Sequence, residues 1–102
     1  MSDDLLEWLQ SWYTSQCDGD WEHQQGITIA TLDNPGWSVE ISLEGTVLAD
    51  RLSIAGEQHF SEDNWLVYEI KDLKFQGFCG PRNLSQLLDV FRTAAIDAAG
   101  MQ

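Results

Sequence analysis

Apolar residues recur at helical spacing near both ends of the chain. The first stripe stops near Cys17, before Asp18-Gly19-Asp20. The second follows Asn83, a residue type that favours helix N-termini, and Gln86 three positions later resembles a capping box. Such spacing gives a helix one apolar face, so the pattern predicts an amphipathic helix at each end. The stripes consist of Leu5, Trp8, Leu9, Trp12 and Tyr13, and of Leu84, Leu87, Leu88, Phe91, Ala94, Ala95 and Ala98.

Between these helices the pattern is that of β-strands. Residues 27–33 are rich in β-branched side chains, and Asn34-Pro35-Gly36 has the composition of a turn. Residues 37–43 then alternate apolar and polar, which predicts a strand with one apolar and one acidic face. Asp50 interrupts the next apolar segment, and a bulge or an exposed strand end would each explain it. Further strands are predicted over 46–54, 65–70 and 73–79, with a polar loop over 55–63.

The order helix, five strands, helix predicts an α+β fold. Short connections favour an antiparallel meander, because parallel strands need long crossovers. Both helices should pack on the apolar face of the sheet, which leaves a polar face for solvent or a partner. The length of 102 residues fits a single domain spanning 1–102.

The charge balance is strongly acidic, with 17 Asp and Glu against 5 Lys and Arg and a net charge of −12. Such a charge repels nucleic acids and anionic membranes and favours a cationic partner, although a merely soluble protein would show it equally well. The N-terminus has no basic signal-peptide segment, and no apolar run is long enough to span a membrane. We therefore expect a cytoplasmic protein that binds neither nucleic acid nor membrane.

Catalytic patterns are weak in this sequence. Cys17 and Cys79 are the two cysteines, and His23 and His59 are the two histidines, but neither cysteine lies in a nucleophile motif. Gly-rich phosphate loops are also absent, and carboxylates are too abundant for a catalytic pair to stand out. The sequence therefore indicates a protein that is not an enzyme.

The densest polar cluster spans Cys17 to His23, and all its side-chain types can bind a metal. The spacing lacks a Cys-x-x-Cys pair, a helical His pair and an EF-hand loop, so we expect no metal and no cofactor. A metal- or ligand-binding module that uses this cluster is the alternative interpretation. Trp21 lies between two carboxylates and is either an interior residue, which we favour, or an anchor for a basic partner. The cluster's potential ligands are Cys17, Asp18, Asp20, Glu22 and His23.

Four segments in the first 40 residues form motifs: Leu9-Gln10-x-Trp12-Tyr13, Cys17-Asp18-Gly19-Asp20-Trp21-Glu22-His23, Gly26-Ile27-x-Ile29 and Thr31-Leu32-Asp33-Asn34-Pro35-Gly36-Trp37. In this order and spacing they resemble the immunity protein 53 family. The resemblance continues less sharply through Trp65, the strand around Phe75 and the start of the last helix at Asn83-Leu84. It implies an immunity protein that binds its cognate toxin domain in the bacterial cytoplasm, within a polymorphic toxin system.

An acidic inhibitor suits a basic, nuclease-like toxin, because complementary charge speeds association and helps to exclude wrong partners. The alternative is that the motifs maintain the fold, with Asp18 and Asp20 binding backbone donors and the turn after Asp33 setting the hairpin register. The oligomeric state is open, since an exposed edge strand can pair with a second copy. The hypothetical toxin-binding residues are Asp18, Asp20, Trp21, Glu22, Asp33, Glu40 and Glu44.

Overall fold

A five-stranded antiparallel sheet lies between an N-terminal and a C-terminal helix in the computed structural model. The structure describes residues 2–100, and side chains over residues 4–98. The α+β class, the two terminal helices and the number of strands are therefore confirmed. The elements are α1 (Ser2–Gln16), α2 (Trp21–Gln24), β1 (Ile27–Leu32), β2 (Gly36–Ser42), β3 (Ala55–Ser61), β4 (Asn64–Lys71), β5 (Lys74–Cys79) and α3 (Leu84–Gly100).

The strand order is β1-β2-β5-β4-β3, so the predicted simple meander is wrong. The last strand, β5, is inserted between β2 and β4, and all neighbours are antiparallel. The long segment 43–54 makes this possible, because it carries the chain away from β2 before β3 begins. A hairpin therefore forms one side of the sheet, and the three-stranded unit β3-β4-β5 forms the other.

The third strand lies later in the sequence than the predicted 46–54. Residues 44–51 form turns and a bend, in which the amides of Thr46, Ala49 and Arg51 each donate to a carbonyl three residues earlier, and residues 52–54 are irregular. Leu48 and Leu52 are buried, and their four-residue separation matches a coiled path over the core better than a strand. The segment read as a polar loop contains β3, an edge strand whose residues are mostly exposed and therefore show no alternation.

Both terminal helices cover the same face of the sheet, as predicted. Alternate residues of the central strands point toward the helices, and Val39 and Ile41 of β2 are buried there together with Phe75 of β5. The core continues through Leu5 and Leu9 of α1 and through Leu87, Leu88 and Phe91 of α3. Within residues 2–100, the terminal helices α1 and α3 both pack on this side, and the opposite face of the sheet is called the open face below.

Gly77 lets α3 approach the middle of the sheet. A β-carbon at this position would lie 2.7 Å from Leu87 Cδ1, which is closer than ordinary contact. The glycine that interrupts the apolar pattern of β5 is therefore part of a continuous strand and of the helix–sheet interface. Leu87 is completely buried against it.

Asn83 precedes α3 as predicted, but its side chain does not form the expected capping box. Its Nδ2 donates to Asn64 Oδ1 at 2.9 Å and also to Gln86 Oε1, while its Oδ1 accepts from the Trp65 amide at 3.3 Å. Because Asn64 and Trp65 belong to β4, this buried amide fixes the start of the helix to the sheet.

Candidate functional site

The motif loop, residues 17–24, is held together by its own carboxylates. Asp18 Oδ1 accepts hydrogen bonds from the amides of Asp20 and Trp21, both at 2.9 Å. The Glu22 carboxylate turns back and accepts from the amides of Asp18 and Gly19 at 3.0 Å. Gly19 has φ +99°, a conformation that side chains with a β-carbon rarely adopt. The two carboxylates therefore bind the backbone amides of the turn that leads into the short helix α2.

These hydrogen bonds change the acidity of both carboxyl groups. Donation from the Trp21 amide and then from the Asp20 amide lowers the pKa of Asp18. Backbone amides, first that of Glu22 itself and then those of Gly19 and Asp18, lower the pKa of Glu22. Amide donors favour the charged form, so the loop is held by ionised carboxylates. The predicted scaffold role is thus confirmed for Asp18, whereas Asp20 contributes its backbone amide.

Trp21 attaches the motif loop to the core. Its side chain is 7% exposed, and its Nε1 donates to the Glu44 carbonyl at 2.9 Å. The ring also packs edge-on against Trp12, with 6.0 Å between centroids, and Trp12 packs in the same way on Phe91 at 5.2 Å. The favoured interior assignment of Trp21 is therefore confirmed, and the loop connects directly to the centre of the protein.

The other three predicted contact residues lie on the β1–β2 hairpin and its ends. Glu44 follows β2 and lies beside the motif loop, through the bond between its carbonyl and Trp21. Asp33 lies in the turn at the opposite end of the hairpin, roughly 20 Å away along β2. Glu40 is exposed between them, with its carboxylate 3.7 Å from Lys74 Nζ. The structure thus spreads the predicted residues along one hairpin and does not gather them into a pocket.

The potential catalytic residues are dispersed. Cys79 is buried on β5, and burial raises its pKa to about 11, which keeps the thiol protonated at neutral pH. His59 lies on β3, where it stacks on Trp65 and contacts Glu57 Oε2 at 2.7 Å. Across the part of the chain that the structure describes, no group of three or more His, Cys, Asp or Glu side chains is arranged to hold a metal.

The open face contains a shallow depression that the sequence pattern did not reveal. Its volume is about 430 Å³, and Phe78, whose side chain is 43% exposed, lies in its wall. Glu57 and Glu69 also line it, on neighbouring strands β3 and β4. The sequence pattern predicts a loop over the segment that contains Glu57, so the side chains that meet across the strands cannot be identified from sequence alone.

Comparison with known proteins identifies a family for this chain. The family model described as immunity protein 53 matches residues 6–96, which is most of the chain. No curated protein and no solved structure shows significant similarity. None of the described helices is both long enough and apolar enough to cross a membrane.

Proposed function

Because this chain belongs to the immunity protein 53 family, we propose that it neutralises a cationic, nuclease-like toxin domain by direct binding. Membership of the family implies an immunity protein for a polymorphic toxin. The proposal adds the chemistry of the partner and the surface that meets it. The chain acts in the cytoplasm as a stoichiometric inhibitor without catalytic activity of its own, and it binds neither nucleic acid nor membrane.

The observation that carries this proposal is a set of exposed carboxylates that form no ion pair with a Lys or Arg side chain within residues 4–98. The net charge is −12, and within residues 4–98 no ion pair involves Asp20, Asp33 or Glu44. All three are exposed along the β1–β2 hairpin and the adjoining motif loop. Lys and Arg side chains that hold a nucleic-acid backbone in a nuclease groove are the complementary groups.

The surface divides into carboxylates that face a partner and residues that support them. Asp18, Trp21 and Glu22 hold the motif loop in shape, and the Trp21 indole joins this loop, which carries the exposed Asp20, to the backbone at Glu44. Glu40 is already near Lys74, so it contributes less to binding than an unpaired carboxylate does. Long-range attraction would guide the toxin to this side of the molecule and would weaken as salt increases.

The test is co-expression with the toxin domain encoded beside this chain, followed by growth rescue and purification of the complex. We expect rescue, a stable one-to-one complex and an association rate that falls as ionic strength rises. If the chain is folded but the toxin still kills and no complex forms, the proposed function is wrong. A complex whose association is indifferent to salt would preserve the immunity role and reject the acidic surface.

A further inference from the structure

The two edges of the sheet differ in their protection against pairing with another strand. β3 carries Glu57, whose Oε2 lies 2.7 Å from His59 Nε2, and it has a register irregularity between His59 and Ser61. Charges and bulges of this kind discourage edge-to-edge association. β1 has the sequence Ile-Thr-Ile-Ala-Thr-Leu, with no charge and no proline, and its pairing with β2 is regular from end to end. In an acidic chain, this uncharged edge is the exception.

The unpaired backbone groups of β1 can be assigned from its register. The Ser42 amide donates to the Gly26 carbonyl at 3.0 Å, which makes these two residues a hydrogen-bonded pair. Since hydrogen-bonded and non-hydrogen-bonded pairs alternate along an antiparallel ladder, Ile27, Ile29 and Thr31 are the non-bonded positions against β2. Their N–H and C=O groups therefore point away from the sheet, in the pattern that a further strand would require.

The charges around β1 identify its occupant. Asp33 follows one end of the strand, and the motif loop with Asp20 precedes the other end, beside Glu44. A second copy of this chain would bring its own net charge of −12 to the same edge. A segment with Lys or Arg near its ends would instead meet carboxylates at both ends of an uncharged strand.

We propose that β1 is the docking edge for the toxin, which adds an extended segment of its own chain to the sheet. This inference rests on the proposed function and specifies how the partner binds. Backbone hydrogen bonds to Ile27, Ile29 and Thr31 provide affinity, and the flanking carboxylates select basic residues near the ends of the segment. Ile29, 39% exposed on the helix-covered side, provides an apolar contact next to these bonds.

A matched pair of variants at one position tests the role of the backbone. Thr31→Pro removes an outward-pointing N–H without removing a bond to β2, whereas Thr31→Ala shortens the same exposed side chain and keeps the N–H. With the toxin domain encoded beside this chain as the probe, Thr31→Pro should weaken binding about tenfold or more. Thr31→Ala keeps the N–H and should lose clearly less affinity than Thr31→Pro, and an equal loss in both variants would contradict the backbone contact.

Amide hydrogen exchange of the unchanged protein gives a second readout that does not depend on any variant folding. The amides of Ile29 and Thr31 should exchange quickly in the free protein and at least about tenfold more slowly in the complex. If the complex forms and rescues growth while the amides of Ile29 and Thr31 still exchange quickly, docking at β1 is wrong and the immunity function stands. If they are already slow in a free dimer, the edge is occupied by a second copy, which also overturns the proposal. Failure to form any complex contradicts the proposed function itself.

Discussion

The motif loop and the β1 edge use their polar groups in opposite ways. In the loop, the carboxylates of Asp18 and Glu22 turn inward to backbone amides, so the segment with the most conspicuous chemistry stabilises itself. In β1 the side chains are uncharged, and half of the backbone hydrogen-bonding groups point outward. The comparison shows that a dense cluster of polar side chains can stabilise the fold, while a segment without any charge can present unpaired backbone donors and acceptors to a partner.

Removal of the Trp21 ring should produce the largest effect, because this ring attaches the motif loop to the core. Trp21→Ala should lower the free energy of unfolding by about 3 to 5 kcal/mol, because it empties a site packed by Trp12 and Tyr13. Trp21→Phe keeps a ring and loses the bond to the Glu44 carbonyl, so about 1 kcal/mol is expected. Urea denaturation measures both. A loss below 1 kcal/mol for Trp21→Ala would show that the loop is not part of the core.

Charge reversal on the hairpin should affect binding and leave folding unchanged. The double variant Asp33→Lys with Glu44→Lys should slow association with the toxin about tenfold at low salt, with a smaller difference at high salt. Unfolding should change by less than about 0.5 kcal/mol, because neither carboxylate has an ion pair within residues 4–98. Stopped-flow association and urea denaturation provide the two readouts.

The control for this charge reversal changes the net charge by the same amount at a different place. Glu62 lies in the turn that joins β3 to β4, and Asp97 lines a groove together with Gln58 of β3. The double variant Glu62→Lys with Asp97→Lys should therefore associate at nearly the unchanged rate. Equal slowing by both double variants would mean that net charge, and not the hairpin, controls association.

Acid should loosen the motif loop before it affects β1. The pKa values of Asp18 and Glu22 are lowered in the folded protein, so their contribution to stability is complete above the unfolded values of roughly 4. It is lost as the pH falls below 4 and through the lower folded pKa values. The NMR signal of the Trp21 indole N–H should report this change. The double variant Asp18→Asn with Glu22→Gln should lack it, and an identical titration curve for that variant would contradict the assignment.

The smallest effect is expected at the turn between β4 and β5. Leu73 has φ +62°, a left-handed conformation that is unfavourable for a residue with a β-carbon. Leu73→Gly relieves this strain but adds flexibility to the unfolded chain, so a stabilisation below about 1 kcal/mol is expected in thermal unfolding. Toxin affinity should not change, which would separate stability from binding. A destabilised variant would indicate that the packing of the Leu73 side chain outweighs the strain.

The sequence pattern predicts correctly those helices and strands that bury one side against the core. Residues of α1, α3 and β2 alternate or repeat because one side meets the core, and their positions are confirmed within one or two residues. β3 was missed because an edge strand exposed on both faces has no such pattern. Leu48 and Leu52 were assigned to a strand although their spacing suits a turn over the core.

For the candidate site, the sequence predicts which residue types are present but not where their carboxylates and backbone amides point. Whether a carboxylate such as Asp18 points to solvent or to a neighbouring amide depends on the turn that the backbone adopts, here with Gly19 in a left-handed conformation. The outward direction of the Ile29 and Thr31 amides follows from strand register, which is fixed only when β2 pairs with β1. Charge composition is readable from sequence, whereas hydrogen-bond direction requires the fold.

The insertion of β5 between β2 and β4 determines when a newly made chain can become active. Val39 pairs with Gly77, and Tyr68 pairs with the same glycine from the other side, so the sheet is in two pieces until β5 has left the ribosome. The β4–β5 contacts are local, but the β2–β5 contacts that complete the sheet are distant in sequence and form slowly compared with local ones. A polypeptide that ends before residue 74 therefore lacks the strand that joins the two pieces of the sheet. It would not give the cell even partial immunity.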